Sequence, residues 1–173
     1  GRMEYESAFA LGPLVGVGDA NAVIRASHLC DELGMDTISA GATIAWAMEC
    51  FERGILTMKD TEGIDLRFGN SDALLATLGL IAEREGIGDL LADGSRAAAN
   101  AVGQGSADWA MHVKGLEMPG YEPRSLQTLA LALAVSTRGA CHNRASAYEA
   151  DLSDRVDRLQ ASRERGKITA EGE

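Results

Sequence analysis

Apolar residues recur at three- and four-residue intervals along much of the chain, and runs of strict alternation are scarce, so the pattern predicts helices and too little strand to build a sheet. Val23, Ala26, Leu29, Cys30 and Leu33 mark one stripe over 20–33, with Asp19 placed to cap its start and Gly34 to end it in the left-handed conformation. Gly41, Ile44, Ala45, Met48 and Phe51 mark a second over 39–53, stopped by Gly54, and its small residues permit close backbone approach. Asn70 or Ser71 caps the clearest helix, whose buried stripe reads Leu74, Leu75, Leu78, Ile81 and Ala82 and which Gly86 ends. A single helical turn follows over 87–92, then an Ala-rich helix, SRAAANAV, closed by Gly103. LQTLALALAV, over 126–135, is apolar almost all round and only about ten residues long, which predicts a buried core helix around which the others pack.

Between these stripes the pattern breaks down. Residues 55–68 mix Thr, Lys, Asp and Gly with scattered Ile and Leu, and read as a connection that can include a short irregular strand. ADWAMHVKGLEMPGYEPR carries two prolines and two glycines among alternating apolar residues, the mark of an irregular loop or short strand leading into the helix near Ser125. Beyond Leu152 the chain is dense in charge and poor in large apolar residues. The expected organisation is an all-α, irregular multi-helix domain with long connecting loops over 1–152, and a charged, mobile tail over 153–173.

Composition narrows the classes of function. A chain of 173 residues with 46% hydrophobic content suits one domain, able to remove roughly 70% of its unfolded surface from water. The formal charge of −10 argues against a nucleic-acid backbone or an anionic membrane surface as partner. Cys30, Cys50 and Cys141 are widely spaced and odd in number, and no apolar signal segment precedes them, which fits a reducing cytoplasm. No apolar run approaches the ~20 residues that span a bilayer.

Three places carry candidate chemistry. In CDELGMDT, Asp31 and Asp36 bracket a helix end, where the carbonyl dipole disfavours negative charge. The glycine alone is enough to end the helix, so the acids need another explanation. Two carboxylates there can accept from the paired N–H donors of an aminopyrimidine edge, as in a pterin; the commoner arrangement has Asp31 exposed and Asp36 or Thr37 capping the next helix. Glu4, Tyr5 and Glu6 offer carboxylates beside a phenol, able to exchange protons if buried, although such residues are more often a solvated helix start. RGACHNR follows the apolar helix directly and brings out Arg138, Cys141 and His142. An imidazole held there exchanges protons near neutral pH, and a thiol beside arginines has a lowered pKa, whereas single His and Cys residues in loops are usually structural. GVGDAN lacks the third glycine of a dinucleotide loop, and the cysteine spacing gives no metal or cluster motif.

Read together, EYESAFALGPLVGVGDANAVIRASHLCDELGMDTISAG, HVKGLEMPGYEPR and STRGACHNRASAYEAD resemble, in order, the middle of the tungsten- or molybdenum-dependent aldehyde ferredoxin oxidoreductases. The likeness covers about residues 4–152. It implies that Asp31, Gly34 and Asp36 match a D-x-x-G-L-D segment that binds the pterin of a bis-pterin metal cofactor, with Met35 where Leu is usual, a change close in volume, and with Thr37 also matching. By the same resemblance Glu6 and His142 stand beside the metal and assist proton transfer as an aldehyde is oxidised to a carboxylic acid, with Arg138 and Cys141 lining the pocket. The same resemblance implies that no side chain of this chain ligates the metal.

The family also carries an N-terminal β-rich domain, a cysteine cluster that holds a four-iron, four-sulfur centre, and a second pterin motif, none of which these 173 residues contain. The resemblance therefore implies one wall of an active site. The expectations are no aldehyde oxidation and no stable metal in the isolated chain, self-association through uncovered apolar surface, and, for the parent enzyme, its remaining domains and a ferredoxin-like electron acceptor as partners. A non-catalytic binding or assembly module derived from the family is the second reading, and a purely structural helical protein the third.

Overall fold

A computed structural model describes residues 3–144 and Asp151; the charged 153–173 segment lies outside the described residues. Helix α1 spans Tyr5–Leu11, α2 Ala20–Leu33, α3 Thr37–Glu52, α4 Ser71–Glu83, α5 Ile87–Leu91, α6 Ser95–Val102 and α7 Gln127–Val135. Short 3-10 turns lie at Pro13–Val15, Ser106–Trp109 and His142–Arg144. Strands β1 (His112–Val113) and β2 (Leu116–Glu117) form an antiparallel hairpin that pairs His112 with Glu117 and Val113 with Leu116. The mostly helical class follows the sequence pattern. Among the described residues no helix is long and apolar enough to cross a membrane.

Side-chain caps set the helix starts. Asp19 accepts from Asn21 N–H at 2.9 Å, and Asn70 from Ala73 N–H at 3.2 Å. Asp36 accepts from Ser39 N–H at 3.0 Å, so α3 begins two residues ahead of the apolar stripe. α4 ends at Arg84, left-handed at φ 55°, before the glycine that the pattern suggested. Ala82 is exposed; the buried side of α4 is Ala73, Leu74, Thr77 and Leu78. Residues 55–68 form turns rather than a strand, held in part by Thr61, whose buried hydroxyl donates to Ile64 O at 2.6 Å.

The centre of the molecule is α3. Ile44, Trp46, Ala47, Met48 and Cys50 are all buried, because α1, α4, α6 and β2 cover this helix from several sides. Two close crossings need glycine: a Cβ at Gly41 would fall 2.4 Å from Ala10 O of α1, and one at Gly88 would fall 2.1 Å from Leu80 O of α4. The apolar 126–135 run does not occupy this centre. Leu126, Leu129 and Leu133 pack with Ala140 into a separate small cluster against the hairpin, while Leu131 and Val135 are 67% and 69% exposed. An apolar residue on every side does not require burial on every side; alanines fill much of the circumference of α7, and the hairpin covers one stripe.

Candidate functional site

The first turn of α1 is capped by Glu4, whose Oε2 accepts from Glu6 N–H at 2.7 Å and Ser7 N–H at 3.2 Å. Glu4 and Tyr5 remain exposed, as a solvated helix start would have them, but Glu6 turns inward and is 2% exposed. Its Oε2 accepts from Gly120 N–H at 2.7 Å. Its Oε1 is buried with no hydrogen-bond partner among the described residues. Burial pushes this carboxyl above its ordinary pKa; the Gly120 amide and the field of His142 pull it down, and the charges of Glu4 and Asp36 push it up.

The loop after β2 closes over Glu6. Gly120 lies directly on α1, since a Cβ there would meet the Phe9 ring at 2.6 Å. Tyr5 O–H donates to Gly120 O at 3.0 Å, and Tyr121 N–H donates to Pro119 O at 2.8 Å. The Tyr121 ring stands 5.8 Å from that of Tyr5 and 5.6 Å from the imidazole of His142.

His142 arrives from the other side of the hairpin. Lys114 Nζ donates to Ala134 O at 3.3 Å and Ser136 O at 2.6 Å, fastening the end of α7 to the hairpin turn. Gly139, at φ +97°, then bends the chain against β1 so closely that a Cβ would fall 2.1 Å from Val113 O. His142 and Cys141 are buried, Arg138 is exposed, and Arg138 Nη1 lies 3.8 Å from Cys141 Sγ.

At the junction of α2 and α3, Met35 N–H donates to Cys30 O at 2.8 Å and Gly34 N–H to Asp31 O at 3.3 Å, the paired bonds of a Schellman end, with Gly34 left-handed at φ 68°. The backbone thus ends α2 without the Asp31 carboxylate, which is exposed. Asp36 caps α3 through Oδ2, which leaves Oδ1 able to accept from a ligand. Burial, with the charges of Asp31 and Asp36, pushes the Cys30 thiol up to about 11. Thr37 Oγ1 lies 2.9 Å from Ser7 Oγ, tying the first turn of α3 to that of α1. Asp36 therefore stands within electrostatic reach of Glu6, and Glu6 of His142.

Asp36 also opens onto a cavity of about 370 Å³ with Met35, Ser39, Thr43, Asp93 and Glu117 in its wall. A larger, apolar groove of about 960 Å³ includes Phe9, Trp46, Phe68, Trp109, Met111 and Tyr121. Neither is lined by Glu6 or His142, which lie under the 119–121 loop.

The segments that carry Glu6, Asp36, Thr37 and His142 thus meet around the hairpin and the first turns of α1 and α3, whereas Asp31 stays exposed on the last turn of α2. Sequence reasoning missed the residues that join them, Gly120, Tyr121 and Glu117. Their one signal was the run EMPGY, in which a proline beside a glycine fixes a turn and a lone acid follows an apolar strand.

The family model described as "Aldehyde ferredoxin oxidoreductase, domains 2 & 3" matches residues 1–173. The tungsten-containing aldehyde ferredoxin oxidoreductase of Pyrococcus furiosus is 46% identical over 142 residues, covering 80% of this chain. The aliphatic sulfonate oxidoreductase WOR-like subunit of the same organism is 35% identical over 153 residues, covering 85% of this chain. The chain spans 23% and 24% of the length of these two relatives. Among solved structures, the active-site complex BamBC of benzoyl coenzyme A reductase, in complex with 1,5-dienoyl-CoA, superposes with a TM-score of 0.64 at 27% identity, over 77% of this chain and 21% of that one.

Proposed function

The chain belongs to the aldehyde ferredoxin oxidoreductase family, and from that premise we propose that it forms the helical, cofactor- and substrate-facing wall of a tungsten- or molybdenum-pterin enzyme that oxidises an aldehyde to a carboxylic acid and passes electrons to a ferredoxin. Such a wall acts within a longer polypeptide whose other segments supply the rest of the cofactor grip and the iron–sulfur centre.

One observation carries the reading. Glu6 Oε1 is a buried acceptor without a partner among the described residues, and leaving such an atom unpaired costs roughly 1–3 kcal/mol. A group that completes the site can satisfy it. The acceptors on the other side agree: the backbone ends α2 without the Asp31 carboxylate, and Asp36, which caps α3 through Oδ2, keeps Oδ1 to offer to the N–H donors of a pterin edge. Gly34 leaves open space where a side chain would stand, and Thr37 steadies the α3 start against α1.

The metal–pterin group, when bound, supplies the two-electron sink. Conversion of an aldehyde and water to a carboxylic acid also releases two protons, and the chain's own residues manage these. Glu6, held by the Gly120 amide and pushed up by burial, takes a proton more readily than an exposed carboxylate does. His142, buried beside Tyr121, is the second exchanging group. Arg138 and Cys141 border the substrate side of the same turn.

The test is aldehyde-dependent dye reduction by the full-length enzyme carrying this segment, comparing wild type with Glu6→Gln and His142→Ala at matched metal content. The expected loss is 10²-fold or more, the usual scale for a positioned acid or base, ~10²–10⁴. Undiminished rates in both variants contradict the roles assigned here.

A further inference from the structure

Glu117 is a buried carboxylate that none of the roles above uses. It is 3% exposed, on β2. A buried carboxylate is costly unless its oxygens are satisfied, and here one oxygen gathers donors from two helices. Oε1 accepts from Ser95 N–H at 2.8 Å and Ser95 O–H at 2.9 Å at the start of α6, and lies 3.5 Å from the Thr43 hydroxyl of α3. The fit is close: a Cβ at Gly94 would come within 2.8 Å of the same oxygen.

Three residues further on, Gly120 N–H donates to Glu6 Oε2 at 2.7 Å. The backbone between has little freedom. Met118 N–H is bound to Met111 O at 3.1 Å, Pro119 is buried with its φ fixed by the ring, and Tyr121 N–H returns to Pro119 O at 2.8 Å. Residues 117–120 thus run as a short stiff strut from α3 and α6 to the carboxyl of α1.

We propose that Glu117 is a positioning residue: by anchoring the strut on Ser95 and Thr43 it sets the Gly120 amide against Glu6 and so tunes the proton affinity of the buried carboxyl. The coupling is a property of this chain and needs no cofactor; only its importance for catalysis rests on the function proposed above. Among the described residues, the charged groups acting on Glu6 are Glu4 on its own helix, Asp36 at the start of α3 and His142 beyond the hairpin. Each is common to the wild type and to the variants below, so the Gly120 amide is the element that changes.

The experiment is a carboxyl-carbon NMR titration of Glu6 in the 173-residue chain, paired with hydrogen exchange of the Gly120 amide. In Glu117→Ala the Glu6 midpoint moves upward, because the amide that favours its charged form is lost, and Gly120 exchange accelerates. In Glu117→Gln, which keeps an acceptor oxygen, both return toward wild type. A merely structural Glu117 would lower stability without moving the Glu6 midpoint. Should Glu117→Ala not fold, Thr43→Val and Ser95→Ala, each removing one donor to Oε1, decide the matter, with faster Gly120 exchange expected in both. A folded Glu117→Ala with an unchanged Glu6 midpoint, or unchanged Gly120 exchange in both donor variants, overturns the proposal. Tungsten content and activity of the full-length enzyme test the functional reading separately, so either idea can fail alone.

Discussion

Gly120 N–H meets Glu6 Oε2 across 2.7 Å although the two residues are 114 positions apart in the chain. That bond ties the first helix to the loop after the hairpin and fixes the buried carboxyl whose other oxygen has no partner among the described residues.

The raised pKa of Glu6 makes stability depend on pH in a defined direction. A carboxyl whose folded pKa lies above its unfolded value binds its proton more tightly in the fold, so its contribution is complete below the ordinary value of 4.5 and is lost as pH rises through the higher folded value. Urea unfolding of wild type and Glu6→Gln, followed from about pH 4 to pH 8, is expected to show the variant gaining on the wild type as pH rises. Parallel stability curves would contradict the assignment.

Close contact of α1 with α3 allows no side chain at Gly41, where a Cβ falls 2.4 Å from Ala10 O. Gly41→Ala is expected to cost about 1–3 kcal/mol through overpacking, and to lower the melting temperature by about 2–4 °C for each kcal/mol. Because the same crossing sets Ser7 against Thr37, the variant is also expected to weaken metal retention in the full-length enzyme. A melting temperature equal to wild type would mean that the two helices are farther apart than described.

Cys30 is fully buried and its thiol is pushed up to about 11 by burial and by the neighbouring acids. Alkylation by iodoacetamide near pH 8 is expected to be slow in the folded chain and to become rapid in denaturant. Asp31→Asn together with Asp36→Asn removes two of the raising charges but not the burial, so it is expected to quicken the folded-state reaction only slightly. A large acceleration would assign control of the thiol to the acids rather than to burial.

Leu131 and Val135 leave an apolar strip on α7 that is 67% and 69% exposed, and Met111 adds another apolar residue 59% exposed. Light scattering of the isolated chain is expected to show association that grows with concentration, reduced by Leu131→Glu with Val135→Lys. A clean monomer across a wide concentration range would show that these side chains need no cover.

Helices α2 and α6 were legible from apolar pattern and glycine stop, and 20–33 and 95–102 match residue for residue; α4 kept its Asn70 cap but ended at Arg84, ahead of the expected glycine. Short elements were harder. α1 has seven residues, too few for a period to show, and its inward turn at Glu6 depends on a loop more than a hundred residues away. α7 misled for a different reason: composition records that LQTLALALAV is apolar, not which stripe meets a neighbour, and the hairpin that decides this has strands of only two residues. In the site, Asp31, Asp36, Glu6 and His142 could be nominated by family resemblance. Gly120 and Glu117 could not, because a backbone amide and a buried capping acid leave little mark in a single sequence.

The most direct measurement is the tungsten or molybdenum and pterin content of the full-length enzyme carrying Asp31→Ala, Asp36→Ala or both, purified beside wild type and checked for folding by circular dichroism. Loss of a charge-assisted hydrogen bond costs about 1.5–3 kcal/mol, roughly a tenfold or greater loss of affinity. The account predicts a folded protein with cofactor depleted in each single variant and more so in the double variant. Full cofactor occupancy in the double variant would contradict the claim that these two acids hold the pterin.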